Sequence, residues 1–384
     1  MSSQLKVNSI SDAAGANGNA ITLATDGTCT AKATNRSNKN LVINGSMQCW
    51  QRDTGTVITS DGSNEGYTTV DRWQTLFAGS AGGALSTERS TDAPDGFLES
   101  VLLKCTTAST SLSGTEHVLY RTKLEGQNLS SLEWGKTSPK SVTLSWYMKA
   151  VNPKTLAAQL TTPVGSGRYY LKKFTPTTSW ARYTWTIPGD STALVTNNTE
   201  GLAIQFGLSI GSGMQQAADS TAWSGTAKHG VSGQGNFLDS TSNQLFISGV
   251  QLEVSDYATD FDHRSVSDEL QRCMRYYEVI MAAGAQDYDF MGMWYSGSEF
   301  TATIRWAVPK RANPTLVHNT GTNYFQAFGG SVSDQFDTWT GMQKPTPRAG
   351  TIYNNNSISG GTTGHGGWCG SANNAAYIHV SAEL

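Results

Sequence analysis

The chain has 384 residues, a formal net charge of −3 and 15% charged residues, against about 25% in an average soluble domain. Its length allows two domains and a tail, because domains cluster near about 100–150 residues. A nearly neutral chain without a basic stripe argues against a nucleic-acid partner, and without a run of about 18 apolar residues we expect no membrane insertion. The 40 glycines and 38% hydrophobic residues are typical of a turn-rich β protein.

The cysteines and histidines form no recognisable metal or disulfide pattern. The five cysteines never have C-x-x-C spacing, and the six histidines show no H-x-H or H-E-x-x-H spacing. The N-terminal stretch MSSQLKVNSISD has no apolar core, so it is not a secretory signal. We therefore expect buried thiols in a chain made in a reducing cytoplasm, and no metal or other cofactor. The cysteines are Cys29, Cys49, Cys105, Cys273 and Cys369.

Residues 1–35 differ from the rest of the chain because they contain no Trp, Tyr or Phe. They carry two short apolar runs, around Ile10 and in residues 20–24. So little apolar surface cannot drive the folding of an isolated domain. We predict an anchoring or assembly segment that becomes ordered against another copy of itself or a docking protein, with a floppy tail as the alternative.

Residues 36–262 show the alternation of apolar and polar residues that marks half-buried antiparallel strands. The stretches SVTLSWYMKA, ARYTWTIPGD, GLAIQFGLSIGSG and LFISGVQLEV each place apolar side chains on one face. Strands at these intervals predict a β-sandwich, specifically a jelly roll. The predicted inward rows are Val142, Leu144, Trp146 and Met148; Tyr183, Trp185 and Ile187; Leu202, Ile204, Phe206, Leu208 and Ile210; and Phe246, Val250, Leu252 and Val254.

Residues 263–283 contain the clearest helix signal in the chain. Ser265 or Ser267 can cap its N-terminus, and Leu270, Cys273, Met274 and Tyr277 recur at helical spacing. We predict a connecting helix that fixes the angle between two β-domains, with an acidic turn before it. The residues expected to lock the turn are Asp262, Arg264 and Arg272, and those expected to pack against both domains are Met274, Tyr276 and Tyr277.

Residues 284–384 resume the strand pattern and predict a smaller C-terminal β-domain. FTATIRWAVPKRANPTL places Ala302, Ile304, Trp306 and Val308 on one face. Aromatic residues set among Gly, Ser and Asn resemble adaptable recognition surfaces, on which the C–H face of a sugar lies flat. We expect at least half of these aromatics to pack in the core instead. The candidate ligand platform is Trp294, Tyr295, Tyr324, Phe325, Trp339 and Trp368.

Catalytic patterns are weak in this sequence, and we predict no catalytic residues. Ser209 lies in a G-x-S-x-G match, but inside an alternating strand rather than the strand–turn–helix of a nucleophile elbow. A glycosidase needs two carboxyl groups facing each other, which spacing along the chain does not show. The carboxylates considered are Glu116, Glu125 and Glu133; Asp287 and Asp289; and Asp334 and Asp337, all in polar stretches typical of solvated surface.

Asp256, Asp260 and Asp262 crowd the turn before the helix. Three carboxylates in seven residues suit Ca²⁺, whose ligands are oxygen atoms from such loops. Helix capping and a salt bridge to Arg264 or Arg272 explain them as well, and we favour this structural role.

The segments NLVINGSMQCWQR, YTTVDRW, SVTLSWYMKA, TTSWARYTWTIPGD and LFISGVQLEV occur in the order seen in carbohydrate-binding-module-like jelly rolls, which this part of the chain resembles. Where those modules carry acidic residues before the last strand's apolar run, this chain has Ser248 and Gly249. The departure weakens the expectation of the structural calcium ion that such modules often hold.

The longer run through ATDFDHRSVSDELQRCMRYY resembles tail-fibre and receptor-binding proteins of bacteriophage virions over about residues 36–280. After residue 284 only a looser Arg-x-x-Pro-Thr pattern continues, at Arg311, Pro314 and Thr315. The residues that carry the junction motif are Gln251, Leu252, Glu253, Ala258, Thr259, Phe261, Asp262, His263, Arg264, Glu269, Leu270, Cys273, Arg275, Tyr276 and Tyr277.

The resemblance implies a tail fibre that acts from the virion, outside the host cell, and binds host-surface polysaccharide. It also implies a homotrimer, joined to other tail or virion proteins through residues 1–35, with the β-domain of residues 284–384 as the expected receptor-binding tip. Two alternatives stay open: a purely structural virion component, such as a capsid-surface or tail-adaptor protein, and a polysaccharide-degrading tail enzyme.

Overall fold

The structure, a computed structural model, describes residues 38–52, 66–284 and 290–384 in full. Outside these ranges it describes the backbone of four strands. The first three form an antiparallel sheet in the order of the chain, and the fourth belongs to the first domain. The rest of the predicted anchoring segment lies outside the described residues. The four strands are β1 Ser9–Ser11, β2 Asn19–Leu23, β3 Cys29–Ala31 and β4 Gly55–Thr59.

The first domain is built from strands and three short 3₁₀ helices, Gly126–Leu132, Ser212–Met214 and Phe237–Asp239. Its further strands are β5 Trp73–Ala78, β6 Ala84–Ser90, β7 Ser100–Thr107, β8 His117–Glu125, β9 Val142–Ala150, β10 Leu156–Thr162, β11 Arg168–Phe174, β12 Ala181–Ile187, β13 Glu200–Ile210, β14 Gln215–Gln216, β15 Gly230–Val231 and β16 Gln244–Glu253.

Two antiparallel sheets pack face to face in this domain, as a sandwich requires. One has the order β11-β10-β13-β8-β5 and the other the order β12-β9-β16-β7-β6-β4. The core between them holds the predicted row of β9 and that of β13 as far as Leu208, and Trp73 of β5 stacks on Tyr120 of β8 with ring centroids 5.2 Å apart. The row is wrong at Ile210, which packs in a separate small cluster after a β-bulge in β13. The sandwich that the alternation predicts is therefore confirmed.

The predicted row of β16 is wrong at Phe246. Leu245 and Ile247 face the core before a β-bulge between Ser248 and Gln251, and Val250 and Leu252 face it afterwards. Phe246 instead lies on the outer face, where the Lys149 amine is 4.5 Å from its ring centroid. A bulge inserts one residue into the strand, which reverses the alternation, and a sequence pattern read with constant period misses this reversal.

The connecting helix is shorter than predicted. The helix α1 spans Val266–Met274, and the Ser265 hydroxyl caps it by accepting from the Asp268 backbone N–H. Tyr277–Met281 is already a strand, β17, which pairs with a strand near the end of the chain. The strands of the C-terminal sheets therefore begin at Tyr277 rather than after residue 284, because Tyr277 pairs with Ser381 instead of continuing the helix.

The C-terminal domain contains two antiparallel sheets around a second core. Its further strands are β18 Phe290–Ser296, β19 Glu299–Arg305, β20 Thr315–His318, β21 Phe325–Gly329, β22 Val332–Phe336, β23 Gly341–Gln343, β24 Ala349–Asn354, β25 Gly366–Ser371 and β26 Ile378–Ser381.

The smaller of these sheets has the order β17-β26-β20, and the larger has the order β22-β21-β25-β18-β19-β24-β23. Ala302, Ile304 and Trp306, which the sequence predicts to share one face, are buried in this core. The protein is thus an all-β sandwich followed by one α-helix and a smaller β-domain, within the part of the chain that the structure describes. No helix among those residues is long and apolar enough to cross a membrane.

Candidate functional site

One face of the larger C-terminal sheet is exposed and apolar, and it begins on β18. The stretch MGMWYS alternates so that Trp294 points into the core, where it meets Phe300 edge-on at 5.5 Å between ring centroids. Met291, Met293 and Tyr295 consequently point outward. The same alternation that buries the tryptophan therefore exposes its neighbours.

Strand register extends this surface across the sheet. Met291 is paired with Trp368 on β25, and Trp368 is paired with Phe328 on β21. Because neighbouring strands lie about 4.8 Å apart, these three side chains form a row about 10 Å long. We call the row together with Met293 and Tyr295 the exposed apolar patch. The exposed fractions are 64% for Met291, 43% for Met293, 63% for Tyr295, 42% for Phe328 and 49% for Trp368.

Hydroxyl side chains lie beside the patch, on the outer face of the sheet that Glu299 and Arg305 of β19 share. Thr301 lies opposite Met293, and Tyr353 lies opposite Thr301 on the next strand. Thr303 shares their face, and its hydroxyl is 2.9 Å from that of Thr351. These groups supply hydrogen-bond donors and acceptors at the border of an apolar surface, without a formal charge.

The six predicted platform residues do not form one surface. Tyr295 and Trp368 are exposed in the patch, and Tyr324 is partly buried against the core. The prediction is wrong for the other three, which are fully buried. Phe325 and Trp339 both pack against Phe336, at 5.7 and 5.1 Å between ring centroids. The three core residues are Trp294, Phe325 and Trp339.

Sequence reasoning missed Met291, Met293 and Phe328. Their signal was present, because MGMWYS and FQAFG both alternate, but both faces of these strands carry large apolar side chains. Alternation alone does not say which face is outward in such a case.

The jelly roll offers no comparable open surface on its five-stranded sheet. The Gln159 amide donates to Gln205 Oε1 at 3.0 Å and contacts the His229 ring nitrogen at 3.3 Å, and both glutamines are buried. The backbone oxygen of His229 lies against Gly207, 2.7 Å from where a Cβ would stand. Burial, with smaller contributions from His117 and Arg121, lowers the pKa of His229 to about 3, so this cluster is closed and neutral.

The predicted junction residues lie between the jelly roll, the helix and the C-terminal domain. The Arg264 guanidinium donates to the backbone oxygens of Asn40 and Val42 and pairs with Glu269 at 3.2 Å. Asp262 is 3.9 Å from the same guanidinium, and its carboxylate accepts from the Asn40 backbone N–H at 3.3 Å.

Arg272 has a different partner from the one predicted, because its guanidinium donates to Asn38 Oδ1 at 2.6 Å rather than to the acidic turn. Met274 is half-buried, and its backbone oxygen accepts from the Lys310 amine.

The two tyrosines contact both domains. The Tyr276 hydroxyl donates to Glu125 of β8 at 2.8 Å, and the Arg72 guanidinium stacks 3.6 Å from the ring centroid. The Tyr277 ring lies under the Arg52 guanidinium at 3.6 Å, and its hydroxyl is 2.5 Å from His379 Nδ1. A cavity of about 670 Å³ opens beside this pair.

The residues considered for catalysis have structural partners. Ser209 lies inside β13, and its hydroxyl accepts from the Leu238 backbone N–H at 3.1 Å. Among the described residues, no group of three His, Cys, Asp or Glu side chains is placed to hold a metal ion. Asp287 and Asp289 lie outside the described residues. The bonded carboxylates are Glu116 with Ser113 N, Glu125 with Arg275, Glu133 with Lys140, Asp334 with Ser359 N and Asp337 with Asn323 N.

Comparison with known proteins finds no matching family model and no matching curated protein. Solved structures with a similar fold include a family 4 carbohydrate-binding module, at a TM-score of 0.28 and 16% identity over 55% of this chain and 98% of that one. A family 61 module in complex with β-1,4-galactotriose gives a TM-score of 0.27 and 10% identity over 57% of this chain and 100% of that one. The enzymatically active domain of bacteriophage CBA120 tailspike protein 4 gives a TM-score of 0.27 and 11% identity over 56% of this chain and 22% of that one. Similarities this weak carry no argument about function.

Proposed function

We propose that this protein is a non-enzymatic attachment fibre of a bacteriophage virion, which binds host-surface glycans through the exposed apolar patch. The observation that carries the proposal is the row of Phe328, Trp368 and Met291, side by side on three neighbouring strands and open to solvent. The resemblance of residues 247–277 to the junction of phage tail fibres supports the virion setting.

The chemistry of the patch suits a sugar ring. The C–H face of a pyranose packs on the flat indole of Trp368, and burial of that apolar contact contributes about 25 cal/mol per Å². The hydroxyl groups of Thr301 and Thr303, two strands from Trp368, and of Tyr353 on the next strand would bond sugar hydroxyls further along the ligand. Because these hydroxyl groups carry no charge, the ligand we propose is a neutral glycan.

The assembly we propose is a homotrimer with residues 1–35 joined to other virion proteins. Three copies would present three patches to one cell surface, so binding by one copy raises the effective concentration of glycan at the others. Weak contacts at each patch then hold the particle firmly. The protein acts outside the host cell, although it is made in the host cytoplasm.

The test uses the purified full chain, its binding to cells of candidate bacterial hosts, and the sugar released in the same tube. We expect binding without sugar release, and we expect Trp368→Ala to weaken binding at least tenfold because the flat ring is lost. Tyr257→Ala is the control, since Tyr257 is an exposed aromatic residue on the jelly roll.

Equal binding by Trp368→Ala and the unaltered chain contradicts the assignment of the patch. Sugar release identifies a polysaccharide-degrading enzyme instead. Loss of self-association in Trp368→Ala, with glycan binding unchanged, identifies the patch as a contact between copies of a structural virion component.

A further inference from the structure

The cavity between the two domains has the size and lining of a small-molecule site. Its volume of about 670 Å³ falls within the roughly 300–1,000 Å³ of such sites, which occur preferentially at domain interfaces. Arg52 and Tyr67 line it from the jelly roll, and Tyr277, Tyr377 and His379 line it from the C-terminal domain. A ligand there would touch both domains at once.

The sheet β17-β26-β20 forms one wall of this cavity. Ile378 and Val380 of β26 point into the core, so His379 and Ser381 point to the opposite face. The Tyr377 ring stacks on the His379 ring, with centroids 4.6 Å apart and planes 21° apart. The wall therefore presents flat rings with a hydroxyl beside them.

The charges that border the cavity are already neutralised. The Arg52 guanidinium donates to Asp71 at 3.0 Å and to Glu383 at 2.8 Å. His379 Nδ1 receives the Tyr277 hydroxyl, and burial together with Arg52 lowers the pKa of His379 to about 4, so the imidazole is neutral at pH 7. An anionic ligand would meet no unpaired cation among these groups.

Other polar groups of the lining retain hydrogen-bonding capacity. The Gln51 amide nitrogen donates to Asp71 and to the Tyr277 backbone oxygen, and among the described residues nothing donates to its Oε1. The hydroxyls of Tyr377 and Ser381 likewise have no hydrogen bond within the described part of the chain. Uncharged donors and acceptors beside stacked rings match a neutral polyhydroxylated ring.

We propose that this cavity is a second binding site, which takes a neutral sugar of one or two residues between Tyr377 and the jelly roll. The ligand class follows the proposed glycan-binding function, but the site is separate from the exposed apolar patch. Because the sugar would touch both domains, its binding would stabilise the folded chain as a whole.

The experiment measures thermal unfolding of the full chain, and saturation-transfer NMR, with three probe sugars: methyl β-galactopyranoside, methyl α-glucopyranoside and N-acetylglucosamine. We expect at least one probe to raise the unfolding temperature of the unaltered chain and of Trp368→Ala alike. Tyr377→Ala should weaken this binding at least tenfold, and Tyr377→Phe, which keeps the ring and loses the hydroxyl, should weaken it less. Methyl β-glucuronide, the charged probe, should bind at least tenfold more weakly.

A lack of binding by all three neutral probes overturns the inference, as does binding that Trp368→Ala abolishes and Tyr377→Ala retains. Tighter binding of the glucuronide overturns the neutral ligand class. If the chain binds cells through Trp368 and no probe enters the cavity, only this inference fails. If a probe binds the cavity and cells are not bound, only the proposed attachment function fails.

Discussion

His379 is a neutral histidine buried at the domain junction. Burial is the main cause of its lowered pKa of about 4, and the nearby Arg52 guanidinium adds to the effect. In an unfolded chain the same imidazole titrates near about 6.5. Between these values the unfolded chain binds a proton that the folded chain does not, so acid favours unfolding.

We predict that His379 makes the protein less stable as the pH falls from 7 to 5. The two pKa values correspond to a loss of about 2 kcal/mol in the free energy of unfolding over that range. The stability is fully present above about pH 6.5 and is lost as the pH falls toward about 4. In urea unfolding, the free energy of unfolding of His379→Gln should fall by about 2 kcal/mol less between pH 7 and pH 5 than that of the unaltered chain.

His365→Gln is the matched control, because His365 is exposed on the same domain. His229, whose pKa burial also lowers, contributes equally in all three chains and cancels. If His379→Gln loses as much stability as the unaltered chain between these pH values, the histidine is not the source of the acid sensitivity.

The bulge of β16 shows how one glycine decides the packing of an element. Gly249 has φ of +61°, and a Cβ there would lie 2.7 Å from both Phe97 Cζ and Tyr147 Cδ2. The bulge reverses the alternation, so that Leu245 and Val250 both reach the core although they are five positions apart, an odd offset that places residues of a regular strand on opposite faces. Any residue larger than glycine would be strained by the left-handed backbone at this position, and its side chain would also clash with Phe97 and Tyr147.

We predict that Gly249→Ala lowers the free energy of unfolding by about 2–5 kcal/mol, since a left-handed alanine costs about 1–2 kcal/mol and overpacking about 1–3 kcal/mol. Gly96→Ala isolates the backbone cost, because Gly96 has φ of +86° and nothing lies within 4 Å of an added Cβ. Urea unfolding of both variants measures the difference. Equal losses in the two variants would mean that Phe97 and Tyr147 move aside without cost.

The element scale also shows what the sequence predicts and what it does not. Alternation and capping signals predicted the row of β9, the row of β13 as far as Leu208 and the cap at Ser265, because these depend on neighbours along the chain. The bulge at Gly249 was missed, because Gly in a strand does not reveal its φ. The helix was predicted too long, because Tyr277 fits a helical stripe as well as a strand.

The candidate site was predicted less well than the fold. Loops and strands rich in aromatics pointed to the C-terminal domain, and Trp368 and Tyr295 are indeed exposed there. The sequence did not separate them from Trp294 and Phe325, because burial depends on which face the second sheet covers. Which face is covered depends on the pairing of strands that are distant in sequence, such as the pairing of Phe328 with Trp368.

At the scale of the whole molecule, buried charged groups join the two domains. Arg72 of the jelly roll is fully buried, stacks on Tyr276, pairs with Glu383 and donates to the Lys123 backbone oxygen at 2.7 Å. Glu125 receives Arg275 at 2.7 Å from the other side. These contacts join residues up to 311 positions apart, so no local pattern in the sequence predicts them.

We predict that Arg72→Met destabilises the protein by about 3–5 kcal/mol, because removing one partner leaves the Glu383 carboxylate in a low-dielectric junction with half of its pairing. Loss of the shared contacts should also separate the single unfolding transition expected of the unaltered chain into two, one for each domain. Calorimetry measures both effects. Lys140→Met is the control, since the Lys140–Glu133 pair is nearly half exposed and should contribute less than about 1 kcal/mol. If Arg72→Met still unfolds in one transition at the original temperature, the coupling of the domains depends on the apolar contacts of Tyr276 and Tyr277 rather than on the buried charges.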